Sequence, residues 1–192
     1  RAVARTRLIF LSNPKHRLIS TYSFGIESIF DLVENSEDMA RFDYVLIISQ
    51  NEVDVNEINQ YREELENPYK EADPVLVQWI WSRTPEQVKF SDEATEFILK
   101  SAVKLGNTYS PKIPIVQGED IRIKLAKISA AIAGRLFSTD KREENIVVEK
   151  IHAESAYVFL NMIYKKKSSG YFYYSQIQKQ TAEIYDLKHF ER

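Results

Sequence analysis

The sequence predicts an α/β fragment with two parallel-type strands, followed by an all-helical domain, so that the chain is mostly α overall. Two short apolar runs, residues 8–11 and 43–49, lie in the first third of the chain. Continuous apolar runs of this length are typical of strands that are covered on both faces, as in parallel sheets. After Pro68 the strand pattern almost disappears, and long segments with apolar residues at helical spacing follow.

The elements of the first third alternate between strand and helix. The first strand is expected to stop before Pro14, because proline ends a regular element. Residues 25–34 carry apolar side chains at helical spacing. Residues 36–42 read as a short helix in which Ser36 caps the start and acidic residues follow in the first turn. The second strand follows directly.

Helices are expected to dominate the rest of the chain. Residues 52–67 read as a solvated helix that ends before Pro68. In the next helices Pro74 suits a first turn, and Ser91 is a cap ahead of two acidic residues. The segments expected to be helical are 75–83, 91–107, 118–138, 147–164 and 176–190, with a loop or short strand over 168–175. The segment 118–138 is apolar almost all round, which indicates the central helix of a bundle.

Composition limits the classes of function. The 192 residues carry a net charge of -2, which gives no overall cationic field of the kind that drives sequence-independent nucleic-acid binding. Cysteine is absent, which excludes disulfides, thiolate zinc sites and cysteine nucleophiles. The three histidines are far apart and lack a carboxylate-rich cluster, so we expect no metal site. No apolar run approaches the roughly 20 residues of a membrane-spanning helix, so no membrane partner is expected.

The expected organisation has three parts. Residues 1–67 form the C-terminal part of an α/β core, residues 68–167 form a helical domain, and residues 168–192 form an extension or the start of a further domain. Two strands do not make a sheet that buries both faces by itself. We therefore expect the chain to be part of a longer protein, with the missing strands before Arg1.

Three segments, in this order, carry a resemblance to a known family. They are "RLIFLSNP" (7–14), "EDMARFDYVLII" (37–48) and "PIVQGEDIRIKLAKISAAIA" (114–133). Together they resemble the second half of an AAA+ ATPase module, and they are most similar to helicases of the minichromosome-maintenance (MCM) type. The resemblance covers nearly the whole chain, from Thr6 to about Ser175. It implies a partial AAA+ core followed by a helical lid domain.

The resemblance implies three functional residues. In the family, an Asn that precedes a Pro after a strand is the sensor-1 residue, which corresponds to Asn13. An Arg-Phe-Asp motif carries the arginine finger, which corresponds to Arg41. A lid helix carries the sensor-2 Arg, which corresponds to Arg122. The family often has Arg-x-Leu-Glu there, whereas this chain reads Arg-Ile-Lys-Leu, so that Lys124 is a competing candidate.

The chemistry of phosphoryl transfer explains these residue types. Catalysis relies mostly on positioning and on stabilising the charge of the transferred group. A neutral amide such as that of Asn13 can donate to a phosphate oxygen or orient water. A guanidinium has permanently charged donors that match two phosphate oxygens, and an arginine finger accelerates other phosphoryl-transfer enzymes by about 10³ to 10⁵. Each residue also has a structural interpretation: Asn13 as a turn residue, Arg41 as an ion pair with Asp38 or Asp43, and Arg122 as a surface cation or as an ion pair with Glu119.

The implied parent protein is a hexameric, ATP- and Mg²⁺-dependent DNA helicase, cytoplasmic and associated with the nucleoid. The chain has no G-x-x-x-x-G-K-[ST] phosphate loop and no acidic metal-holding motif after a strand, so we expect it to hold no cofactor tightly and to hydrolyse no ATP by itself. Two alternatives stay open: another AAA+ machine, of chelatase or transcription-activator type, and a non-enzymatic helical interaction module. Lys165 to Lys167, followed by "GYFYY", is a possible DNA contact, although a solvated helix end with packing aromatics is the favoured interpretation.

Overall fold

The computed structural model describes residues 9–15, 17–52, 54–60, 70–117 and 120–190. Over these residues the chain is mostly helical, with one two-stranded parallel sheet. The α-helices are α1 (Ser36–Ala40), α2 (Val55–Asn59), α3 (Ala72–Ser82), α4 (Asp92–Thr108), α5 (Ile121–Arg135), α6 (Lys150–Lys165) and α7 (Tyr171–Phe190). The strands are β1 (Val88–Phe90) and β2 (Ile146–Val148), and the 3₁₀ helices are Ile19–Thr21, Gly25–Asp31, Gln50–Glu52 and Pro85–Gln87.

The helices α4, α5 and α6 pack against one another and form the main core. The sequence-based expectation that α5 is central is confirmed, because α5 contacts α3, α4, α6 and β2. Leu105, Leu125 and Leu160, one from each of the three main helices, are buried at the centre. The predicted cap of α4 is also confirmed: Ser91 Oγ accepts a hydrogen bond from the backbone N–H of Ala94 at 3.1 Å.

Three tyrosines join α7 to this core. The ring of Tyr109, just after α4, stacks on the ring of Tyr171 with 4.7 Å between centroids. Tyr164 meets both rings edge to face. The Tyr171 hydroxyl donates to the carbonyl oxygen of Ile113 at 2.6 Å. This cluster fixes the start of α7, which the sequence had predicted as a loop or short strand over 168–175.

The sheet lies where the sequence predicted no strand. β1 runs parallel to β2, with Val88 opposite Ile146 and Phe90 opposite Val148. The predicted strands were wrong: residues 9–11 and 44–49 are outside any sheet, and Leu8 lies outside the described residues. Within the described residues no strand runs beside either segment, so the ladder of hydrogen bonds that defines a strand is missing.

Smaller differences concern element types and ends. The segment predicted as helix over 25–34 is the 3₁₀ helix Gly25–Asp31. Ser36 is the first residue of α1, and the cap is Asn35, whose side chain accepts from the N–H of Glu37 at 2.9 Å. Of the helix predicted over 52–67, α2 is seen, and residues 61–67 lie outside the described part.

The N-terminal part of the chain packs on the residues between α6 and α7. The Ser168 hydroxyl donates to the carbonyl oxygen of Ile47 at 2.9 Å. The backbone N–H of Ile26 donates to the carbonyl oxygen of Ser169 at 2.8 Å. A Cβ on Gly25 would lie 1.9 Å from the Ser168 carbonyl oxygen, so that only glycine allows this approach. The division of the chain at residues 67 and 167 stays a prediction. Among the described helices, none has the length and apolar character needed to cross a membrane.

Candidate functional site

Arg41 lies at the C-terminal end of α1, where its side chain is exposed and forms an ion pair. It is the C-cap residue of this helix, as expected from the sequence. Its guanidinium is 3.2 Å from the Asp38 carboxylate, and 78% of its side chain is exposed. The structural interpretation of Arg41 as a partner of Asp38 is therefore correct for the chain by itself. An exposed pair of this kind stabilises the protein by only about 0–1 kcal/mol. Little free energy is therefore lost when Arg41 leaves Asp38 for another anion.

A cleft of about 470 Å³ lies beside Arg41, between α1 and the start of α5. Its walls are polar and carry both signs of charge. The lining residues are Ser36, Glu37, Ala40, Arg41 and Asp43 from the first wall and Gln117, Asp120, Ile123, Lys124 and Lys127 from the second. The structure thus brings Arg41 together with Lys124, the competing candidate for the sensor-2 position.

Lys124 differs from the other cations of the cleft because it is almost fully buried. Only 4% of the residue is exposed, and its Nζ donates to the carbonyl oxygen of Ile115 at 2.6 Å. Burial lowers the pKa of Lys124 to about 8, since a charged ammonium is poorly solvated there. The carboxylates of Asp120 and Asp43 oppose that shift, and the Lys127 ammonium adds to it.

Lys127 completes the set of cations in this cleft. Its Nζ is 3.0 Å from the Asp43 carboxylate, and the pair is about half exposed. Residues 120, 123, 124 and 127 have the spacing of one helix face, so the periodicity of the sequence could have predicted that Lys127 accompanies Lys124. Asp43 and Asp120 offset much of the positive charge. The cleft therefore has a lining of mixed charge and is not a purely cationic site for anions.

Asn13 and Arg122 lie elsewhere. Neither residue is among those that line the cleft, and both are exposed. Asn13 lies outside any helix or strand, and its carbonyl oxygen accepts a hydrogen bond from the Ser12 hydroxyl at 3.3 Å. Arg122 precedes two lining residues, but it occupies a different face of α5. Glu119, the partner suggested for Arg122, lies outside the described residues.

Several aromatic residues that the sequence brings to attention lie outside the cleft. Tyr171 and Tyr174 of the "GYFYY" segment are buried in the core, which supports the interpretation of this segment as packing rather than as a DNA contact. Trp79 packs beside β2, while Trp81 is 59% exposed. Over the part of the chain that the structure describes, no group of three His, Cys, Asp or Glu side chains could hold a metal ion.

The described residues fit only part of the nucleotide site that the resemblance implies. Arg41 is an exposed cation that could contact a phosphate presented from outside the chain, and Lys124 and Lys127 lie in the same cleft. The mixed charge of the residues that line the cleft and the lack of a phosphate loop do not fit a complete site for ATP with Mg²⁺. Comparisons with protein-family models, with curated proteins and with solved structures found no match.

Proposed function

We propose that this chain is part of an ATP-dependent DNA helicase of the MCM type, in which Arg41 acts as the arginine finger on a nucleotide bound by a neighbouring subunit of a hexameric ring. One observation supports this proposal most. The Arg41 guanidinium is exposed at the end of a short helix, at the rim of a cleft, and is held there only by an exposed carboxylate among the described residues. This is where a residue must lie to act on a neighbour.

The chemistry assigned to Arg41 is electrostatic. ATP, with Mg²⁺, supplies the phosphoanhydride bond that is hydrolysed in such a ring. The guanidinium would leave Asp38 and donate to two oxygens of the phosphoryl group, because its planar fork matches them. Exchanging a weak surface pair for a contact with a highly charged phosphate favours the assembled ring. Hydrolysis would therefore depend on contact between subunits.

Lys124 is the second cation that we assign to this site, in place of Arg122. Lys124 lies in the cleft beside Arg41, whereas Arg122 does not line it. With a pKa of about 8, Lys124 is mostly protonated near neutral pH and can offer a charge. Its bond to the Ile115 carbonyl oxygen ties that charge to the loop before α5. A nucleotide that attracted Lys124 would pull on this loop, which gives a route from phosphate contact to a shift of α5.

The test uses a longer protein that carries these 192 residues together with a phosphate loop. Its ATPase rate is measured while increasing amounts of its own Arg41→Ala variant are mixed in. We expect a steep, non-linear loss of activity, because a variant subunit disables the site of its neighbour and a ring whose sites hydrolyse ATP in turn then stalls as a whole. Lys70→Ala, at an exposed cation outside the cleft, is the matched control and should leave the rate unchanged. A linear dilution, with the variant itself active, would contradict the proposal.

A non-enzymatic helical interaction module is the second candidate, and the ion pair between Arg41 and Asp38 favours it. In that case the pair is only a helix-end contact, and Arg41→Ala leaves every activity of the longer protein intact. Chelatase and transcription-activator machines share the arginine-finger logic. Strand separation of duplex DNA by the longer protein distinguishes a helicase from both.

A further inference from the structure

A second groove lies on the other side of the helical core, on the outer surface of α6. It has a volume of about 440 Å³ and is lined by Lys104 of α4 and by Tyr157, Val158, Asn161, Met162 and Lys165 of α6. It shares no residue with the cleft between α1 and α5. The groove therefore needs an explanation of its own.

The floor of this groove is apolar and exposed. Val158 and Met162 are 62% and 54% exposed, and Ile151, two helical turns before Val158, is 58% exposed on the same face. These three aliphatic side chains form a stripe of about 16 Å along α6 at a rise of about 1.5 Å per residue. Tyr157 supports the wall, since its ring meets Phe97 edge to face at 6.1 Å.

Lysines lie beside the stripe and at its C-terminal end. Lys104 lies over the Tyr157 ring at 5.7 Å, beside the middle of α6, and Lys165 lies over the Phe172 ring at 5.4 Å, at the end of α6. Lys166 and Lys167 follow directly and are exposed. Within the described ranges none of these lysines pairs with an acidic side chain, although the neighbouring Lys150 pairs with Glu154 at 3.4 Å. Carboxylates of a bound partner would form ion pairs with these lysines.

We propose that this groove, defined by Lys104, Val158, Met162 and Lys165, docks an amphipathic helix of a partner protein that has aliphatic residues on one face and Asp or Glu residues at one end. The aliphatic stripe matches anchors at i, i+4 and i+7 of a bound helix. Methionine adapts its shape to such anchors. The lysines fix the direction of the helix, because only one orientation places its acidic end beside them.

A nucleic acid fits this surface less well. Phosphates would satisfy the lysines, but a sugar-phosphate backbone would leave the stripe of Ile151, Val158 and Met162 uncovered. The nearby rings of Phe97, Tyr157 and Phe172 are partly buried and pack against the core. The amide group of Asn161 donates to the Tyr157 carbonyl oxygen at 2.9 Å and has no partner for its own oxygen among the described residues. That oxygen offers the bound helix one further polar contact.

The test uses a labelled peptide of about 16 residues that carries Leu at i, i+4, i+7 and i+11 and a run of Glu at one end. A matched peptide has Lys in place of Glu. Binding to the whole chain is followed by fluorescence anisotropy and by the methyl NMR signals of the two methionines. Met162 is in the groove and should shift on binding, while Met39, which is fully buried elsewhere, should not.

Substitutions locate the contact. Val158→Ser should weaken binding about fivefold to tenfold, as expected for the loss of one buried aliphatic side chain. Val75→Ser on α3, which changes a residue of 65% exposure outside the groove, should change nothing. Lys104→Glu combined with Lys165→Glu should reverse the preference between the two peptides. Because all these positions are at the surface, loss of folding is not expected to confuse the result.

Three outcomes would overturn the inference. The first is peptide binding that is insensitive to both Val158→Ser and the paired lysine substitutions. The second is concentration-dependent dimerisation of the chain that Val158→Ser abolishes, which would make the occupant a second copy. The third is a single-stranded oligonucleotide that binds through the lysines more tightly than the acidic peptide and is indifferent to Val158.

Discussion

The Nζ of Lys124 and the carbonyl oxygen of Ile115 are 2.6 Å apart in a hydrogen bond that lies under the wall of the cleft. Burial lowers the pKa of this lysine to about 8, below its ordinary value of 10.5. Between these two values the unfolded chain binds a proton that the folded chain does not, so the free energy of unfolding should rise with pH. The slope cannot exceed about 1.4 kcal/mol per pH unit, and solvent in the open cleft reduces it below this limit.

Urea unfolding between about pH 7.5 and 9.5 measures this slope. Lys124→Met should remove the rise in the free energy of unfolding with pH. Lys127→Met, at a half-exposed neighbour, should leave this rise unchanged. The window ends near pH 10, because burial raises the pKa of Tyr109, Tyr164 and Tyr171. These groups keep protons in the fold that the unfolded chain loses, so stability should fall again above that pH. A flat profile for the wild-type chain would show that Lys124 is solvated.

The two stacked tyrosines should respond in opposite ways to loss of their hydroxyls. The Tyr109 hydroxyl is buried and has no hydrogen-bond partner among the described residues. Tyr109→Phe should therefore leave stability unchanged or raise it by about 1 kcal/mol. Tyr171→Phe removes the donor to Ile113 and should lower stability by about 1–2 kcal/mol. Denaturant midpoints of the two variants test the pair, and equal losses would mean that Tyr109 has a partner in solution.

The cap of α4 gives a third expectation. Ser91→Ala removes the acceptor for the N–H of Ala94 and should lower the free energy of unfolding by about 1 kcal/mol. Ser155→Ala is the matched control, because its exposed hydroxyl only donates to the carbonyl oxygen of Ile151 within α6. Thermal unfolding of both variants is the measurement. A loss at Ser155 as large as that at Ser91 would argue against a capping role.

Gly25→Ala should be among the most damaging single changes outside the main core. The added Cβ would lie 1.9 Å from the Ser168 carbonyl oxygen, so one of the two backbones must move. Overpacking of this kind costs about 1–3 kcal/mol. Gly134→Ala meets two side chains, that of Ile80 at 3.2 Å and that of Ile146 at 3.5 Å, and its cost is offset by the better helix propensity of alanine. Chemical denaturation should show a clear loss for the first variant and a small change for the second.

ATP hydrolysis by the 192-residue chain itself should be undetectable. The chain has no phosphate loop in its sequence, and its cleft is lined by as many carboxylates as cations. The measurement is release of inorganic phosphate from ATP with Mg²⁺ by the purified chain, with the longer protein as the positive control. Robust ATP hydrolysis by this chain that Arg41→Ala abolishes would contradict the proposal that Arg41 acts on a nucleotide bound by a neighbouring subunit of a ring.

The long helices were predictable, and the sheet was not. Ser91 and the apolar periodicity of α4 located that helix within a residue or two, because a cap and several turns give redundant signals. Strands of three residues, such as Val88–Phe90 and Ile146–Val148, are too short to show a period. Residues 44–49 have strand-forming side chains, and their exposure alternates along the segment. They nevertheless lack a partner strand within the described ranges, and pairing depends on neighbours that a local pattern does not contain.

Only part of the candidate site could be predicted from the sequence. The resemblance suggested Arg41, whose role stays a prediction, and the structure places this residue at the rim of a cleft. Between Arg122 and Lys124, two residues apart on one helix, the choice depends on which face of α5 meets α1. The sequence of α5 is apolar almost all round, so its pattern does not specify that face. Burial and the bond to Ile115 distinguish Lys124 only once the loop before α5 is in place.

The bonds of Ser168 to Ile47 and Glu52 also have a consequence for the order in which the chain folds during synthesis. These contacts span 121 and 116 residues. At about 5–20 residues per second, the ribosome needs roughly 6–24 s to deliver Ser168 after Ile47 has been made. Throughout this time the apolar side chains of residues 44–48 have no native neighbour from the C-terminal part. Chaperones that bind extended apolar segments would find their target here.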